Sequence, residues 1–124
     1  MISADKADYE GIFQKSIDHI QSLGYQNIKA DFKEFERPKS YLKKGSDVSV
    51  TPDIVAEKGG QMHVFELGLK SQEPKLLKSK WMFLETLSKF KSYKFNIITT
   101  RGHVKFTDTL IHDLGFSPNQ LIKL

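Results

Sequence analysis

The chain of 124 residues contains no cysteine. Disulfides and zinc–thiolate centres are thereby excluded, and the composition fits a reducing cytoplasm. No apolar run approaches the ~20 residues that cross a bilayer, so no membrane partner is expected. The opening Met1-Ile2-Ser3-Ala4-Asp5-Lys6 lacks a basic stretch followed by an apolar one, so no signal peptide is expected. Phosphate-loop and dinucleotide glycine motifs are missing, as is any Ser-His-Asp signature. The histidines, His19, His63, His103 and His112, have no metal-motif spacing. There is no repeat, low-complexity tract or interdomain linker, and residues 1–124 read as a single domain.

What is present is a globular composition, 39% hydrophobic, with a formal net charge of +4. That charge permits a polyanionic partner without requiring one. The most informative stretch is residues 51–70, Thr-Pro-Asp-Ile-Val-Ala-Glu-Lys-Gly-Gly-Gln-Met-His-Val-Phe-Glu-Leu-Gly-Leu-Lys. Two runs rich in β-formers flank Gly59-Gly60, a pair suited to the positive φ angles of a type I′ hairpin turn. If those glycines are the whole loop, Lys58 faces Gln61, Val55 faces Val64 and Asp53 faces Glu66. Residues opposite one another share a face, with Cβ atoms roughly 4.5–5.5 Å apart. Two carboxylates then sit side by side in a sheet, where repulsion and lost hydration demand compensation. A divalent cation is the usual compensation for paired hard oxygen ligands. Both faces of the hairpin carry apolar residues, which predicts cover on both sides.

Before the hairpin, residues 3–23 read as an amphipathic helix capped by Ser3, with Tyr9, Ile12, Phe13, Ile17, Ile20 and Leu23 inward. Glu10 lies beside that stripe, either as a solvated helix residue or as a third acid. Tyr25 to Phe35 reads as a strand. Residues 36–50 form a long loop or an irregular extension of the hairpin, whose Lys39, Lys43 and Lys44 are candidates for phosphate contact or for simple solubility. After the hairpin, Pro74 opens a helix with Leu77, Trp81, Leu84, Leu87 and Phe90 as its buried stripe. Its lysines, Lys78 among them, lie on other faces. A strand, Phe95 to Thr100, a helix, Val104 to Leu114, and a short last strand, Gln120 to Lys123, follow. The fold class is α/β, with a mixed central sheet flanked by helices.

The α-β-β-β-α-β order, with Pro52-Asp53 on one strand and Glu66 on the next, resembles the PD-(D/E)XK nucleases of restriction-endonuclease-like fold. The resemblance covers roughly residues 3–100. It implies a magnesium- or manganese-dependent phosphodiesterase acting on DNA. Asp53, Glu66 and the carbonyl of Leu67 would hold the metal, and Glu10 would match the helix acid of the Holliday-junction-resolvase-like branches. It also implies a lysine two residues after the second acid, which orients the attacking water and stabilises charge at the phosphate. Here Gly68 stands at that position. Lys70, of the same strand parity as Glu66, is the nearest substitute, and Lys78 and Lys80 on the following helix are within reach of the strand. DNA contact would fall to Lys39, Lys43, Lys44 and Lys78. The alternative is a nuclease-fold module without catalysis, binding nucleic acid or a protein partner. A homodimer is compatible with either.

Overall fold

A computed structural model describes all residues, 1–124. Its first helix starts later than the periodicity predicts. Residues Ser3–Asp8 form a 3₁₀ segment, and the α-helix α1 spans Glu10–Ser22. Ser3 caps nothing, and Tyr9 breaks the run with φ −126° and ψ 22°. The cause lies in partners distant in sequence. Asp5 is buried and accepts from the Ser71 hydroxyl at 2.7 Å and from the Gln72 N–H at 3.1 Å. The Tyr9 hydroxyl donates to the Lys70 carbonyl at 2.7 Å. These bonds draw the leading segment off the helix axis.

Strand β1 is Gln26–Ala30, shorter than predicted, because the chain turns at Phe32–Phe35. Residues 36–50 contain a two-stranded antiparallel ribbon, β2 (Tyr41–Leu42) and β3 (Ser49–Val50). Strands β4 (Ile54–Lys58) and β5 (Gln61–Gly68) form the hairpin in the expected register, Val55 opposite Val64 and Lys58 opposite Gln61. Gly59 and Gly60 have φ of +57° and +77°, the left-handed values that a type I′ turn needs. Helix α2 (Pro74–Lys91), strand β6 (Lys94–Thr99), helix α3 (Val104–Leu114) and strand β7 (Leu121–Lys123) complete the chain.

Five strands form one mixed sheet in the order β1-β4-β5-β6-β7. Strand β4 is antiparallel to its neighbours β1 and β5, and β5, β6 and β7 run parallel. Successive crossovers in one direction along a sheet put both helices on the same face. The helices α2 and α3 accordingly share a core with Val64 and Ile97, built on Leu77, Trp81, Leu84, Leu110 and Ile111. On the other face, Phe13, Ile17 and Ile20 of α1 meet Ile54, Ala56, Phe65 and Leu67. Truncating any of the fully buried large side chains would cost about 2–5 kcal/mol. Phe90 departs from the predicted stripe and is 88% exposed. The inward series from Leu77, Trp81 and Leu84 continues at Ser88, and Phe90 lies more than half a turn beyond it. Leu23, after the end of α1, is likewise half-exposed.

Candidate functional site

Continuing the hairpin register by one pair beyond Ile54 and Phe65 sets Asp53 opposite Glu66. The Asp53 N–H donates to Glu66 Oε2 at 2.7 Å, and the Leu67 N–H donates to Asp53 Oδ2 at 2.9 Å. Both carboxylates are completely buried, on the face that α2 and α3 cover. Two cations neutralise them. Lys80 Nζ, from α2, lies 3.0 Å from Asp53 Oδ1 and 3.1 Å from Glu66 Oε1, and donates to the Met1 carbonyl at 3.0 Å. The Met1 amino group contacts Asp53 Oδ2 and lies 3.4 Å from Glu66 Oε1.

The four groups are not equivalent. Burial by itself would raise the Asp53 carboxyl, but Lys80, the Met1 ammonium and the Leu67 N–H together hold it below its usual range. Burial, reinforced by the Asp53 charge, pushes Glu66 above its usual range against the pull of both cations. Lys80 is raised, since the two carboxylates outweigh its loss of hydration. Burial lowers the Met1 amine despite the same two acids. Asp53 and Lys80 therefore form the firmly charged pair, and Glu66 and the amine are both driven towards neutrality.

Gly68 has a packing reason. A Cβ built there would lie 2.6 Å from Thr107 Cγ2 and 2.8 Å from Ile97 Cγ2. The Gly68 carbonyl accepts from the hydroxyls of Thr99 at 2.7 Å and Thr107 at 2.8 Å. Helix α3 thus docks directly on this residue, and the position has no room for a side chain. The ammonium beside the acids comes instead from α2, where Lys80 flanks the inward stripe next to the buried Trp81. Its stem runs through the interior and its side chain is only 11% exposed.

The other predicted residues are placed differently. Lys70 is exposed and makes no ion pair with either acid; its N–H donates to His103 Nδ1 at 2.9 Å. The strand ends at Gly68, so the parity argument for Lys70 stops there. Glu10 is exposed at the start of α1, whose core residues pack on the opposite sheet face, and it joins no acid cluster. Leu67 meets the pair through its N–H, as described. Lys78 points outward to Asp113 at 3.3 Å. Lys39 and Lys44 are exposed on the ribbon, and Lys43 donates to the Ser79 hydroxyl at 2.7 Å. The spacing puts Lys78 on an outer face of the helix and Lys80 at that face's flank, with either a candidate to reach back to the acids; the packing of α2 brings only Lys80 to them. The Met1 amine carried no sequence signal, because a terminus has no periodic pattern.

A cleft of about 280 Å³ leads to this group, lined by Met1, Lys43, Thr51, Ser79 and Lys80 among others. The acids lie behind Met1 and Lys80. The two carboxylates converge on the Met1 ammonium, and a hard divalent cation suits the same oxygens. No third His, Cys, Asp or Glu side chain joins them. Magnesium commonly binds through one or two carboxylates and keeps several waters; here all four carboxylate oxygens accept from protein donors, and an ion would have to displace the Met1 ammonium to reach them. No helix of the protein is long and apolar enough to cross a membrane. A scan against protein families and a search of curated proteins found no match to this chain.

Proposed function

We propose that this chain is a metal-dependent DNA phosphodiesterase of the PD-(D/E)XK type, on a restriction-endonuclease-like fold, with Lys80 serving as the motif lysine. The observation that carries the reading is the position of Lys80 Nζ, within 3.1 Å of both acids. Asp53, Glu66 and the Leu67 carbonyl would hold magnesium or manganese in the place that the Met1 ammonium takes. Such an ion lowers the pKa of a bound water and offsets charge on the scissile phosphate. Lys80, raised and fully protonated, would keep a fixed positive charge beside the phosphate, and the N–H that now goes to the Met1 carbonyl would turn to the water once Met1 gives way. Lys43, at the mouth of the cleft, draws the phosphate inward.

The test is nicking of supercoiled, linear and branched DNA with manganese and magnesium, beside calorimetric metal titration. Wild type should cut with manganese before magnesium. Asp53→Asn and Lys80→Ala should each lose on the order of 10²–10⁴ in rate. Protein that neither binds metal nor cuts any of these DNAs would refute the reading. The complete burial and charge balance of the acids favour a second reading, a non-catalytic module on the same scaffold. DNA binding without metal heat or cleavage would select it.

A further inference from the structure

A second and larger cavity lies on the same sheet face as the acid pair. Helices α2 and α3 cover the β5–β6 side of that face. Towards β1 and β4 the cover consists of the ribbon and the last turn of α2. The result is a recess of about 540 Å³, within the range of small-ligand sites. Its floor is apolar, formed by Val55, Met62, Val64 and Leu87. Its walls carry two aromatic rings, Tyr41 and Tyr93. Its polar edge is Asn27, whose amide donates to the Glu57 carboxylate.

The surroundings of Tyr41 are cationic. Lys39 Nζ lies 5.5 Å and Lys91 Nζ 5.9 Å from its ring centroid. The other lysine of the recess, Lys29, is already paired with Glu36 at 3.2 Å. Apolar walls with aromatic faces, one hydrogen-bonding edge and unpaired lysines at the rim match the parts of a nucleotide: planar base, polar base edge, phosphate. A purely apolar ligand would leave Lys39 and Lys91 without an anionic partner.

The recess also has a fixed relation to the acids. Val55 and Val64 precede or follow Asp53 and Glu66 by two residues, roughly 7 Å along a strand at about 3.3 Å per residue. Pro52 lines the recess and is bonded to Asp53. The ribbon borders both spaces, since Tyr41 lines the recess and Lys43, two residues on, lines the cleft that leads to the acids. A base still stacked and paired in a duplex has its faces covered by its neighbours, so only an extruded or unpaired one can lay a face against Tyr41.

We infer that this recess is a subsite for one unpaired nucleobase of a single-stranded nucleic acid, stacked on Tyr41. The inference rests on the nucleic-acid reading above and names its substrate class. It is tested by anisotropy titration of the full chain, in EDTA, with a fluorescent single-stranded oligodeoxynucleotide and with its blunt duplex. Working without metal keeps the outcome independent of cleavage, so failure to nick leaves the subsite standing. The single strand should bind more tightly than the duplex. Tyr41→Ala should weaken single-strand binding on the order of ten-fold, the scale of one base–aromatic stack, and Tyr41→Phe should recover most of it. Leu87→Trp, which fills the recess from the helix side, should weaken the single strand in the same way, and serves if Tyr41→Ala fails to fold. Phe90→Ser, exposed and outside the recess, should change nothing. A free deoxynucleoside monophosphate should compete only weakly; competition equal to the oligonucleotide would make the site one for free nucleotides and overturn the inference. Equal binding of duplex and single strand, or indifference to both Tyr41→Ala and Leu87→Trp, would overturn it too.

Discussion

Lys80→Met keeps the aliphatic stem of the side chain and removes the ammonium. That ammonium makes three contacts between 3.0 and 3.1 Å, to Asp53, Glu66 and the Met1 carbonyl. The two acids are fully buried, so their charges depend on protein partners. Removing one member of a buried ion pair costs about 3–5 kcal/mol, because the remaining charge is uncompensated. The Met1 amine still offsets one carboxylate, and the other escapes by taking up a proton. The cost at pH 7 should therefore sit near the lower end, about 3 kcal/mol. With urea m-values of about 1–3 kcal/mol/M, the midpoint should fall by on the order of 1–3 M at unchanged slope.

The pH dependence follows from the same contacts. In the wild type the Asp53 carboxyl is held below its unfolded value, so its contribution is present above roughly pH 4 and lost as pH falls through the folded value. Without Lys80 both carboxyls move upward, and stability is instead lost as pH rises through their folded values. The gap between the two proteins should be widest at pH 7 and narrow towards pH 4. Glu66→Gln in the Lys80→Met background deletes the surplus charge and should recover about half the loss. A loss below about 1 kcal/mol at pH 7, or a gap that does not narrow in acid, would refute the account of Lys80 as the counterion of the pair.

Two further outcomes follow. Gly68→Ala should lower stability by about 1–3 kcal/mol through overpacking against Thr107 and Ile97, and Gly68→Lys, although it recreates the motif's spelling, should destabilise without raising any nicking rate; a thermal melt in which Gly68→Ala is unchanged would show that α3 docks elsewhere. Changing Lys39, Lys43 and Lys44 together to Ala should weaken DNA binding and flatten its salt dependence, by up to about 0.9 in log–log slope per lost duplex phosphate contact; an unchanged slope would remove the ribbon from the interface.

Much of the architecture was legible in the residues. The Gly59-Gly60 turn and the alternation around it set the hairpin register, and the register alone brings Asp53 and Glu66 to one face. Helix α3 and the inward positions Leu77, Trp81 and Leu84 of α2 follow from spacing, since helical and strand periods are properties of the local backbone. What spacing did not carry was everything decided between elements. The break at Tyr9 depends on Asp5 meeting Ser71 and Gln72, over sixty residues away. The ribbon within residues 36–50 has strands of two residues, too short for any alternation to register.

The acid pair was thus written in the sequence, and its counterions were not. Gly68 looks from the sequence like a lost lysine; in three dimensions it is the point where α3 rests on the sheet, closed to any side chain. Lys80 and Lys78 have the same chemistry and differ by two positions on one helix. Only the rotation of α2, locked by Trp81 and Leu84 in the core, turns the first towards Asp53 and Glu66 and the second towards Asp113. Periodicity is a local property and survives in the sequence, whereas the place of a buried charge is set by how helices pack on a sheet, through contacts between residues far apart in the chain.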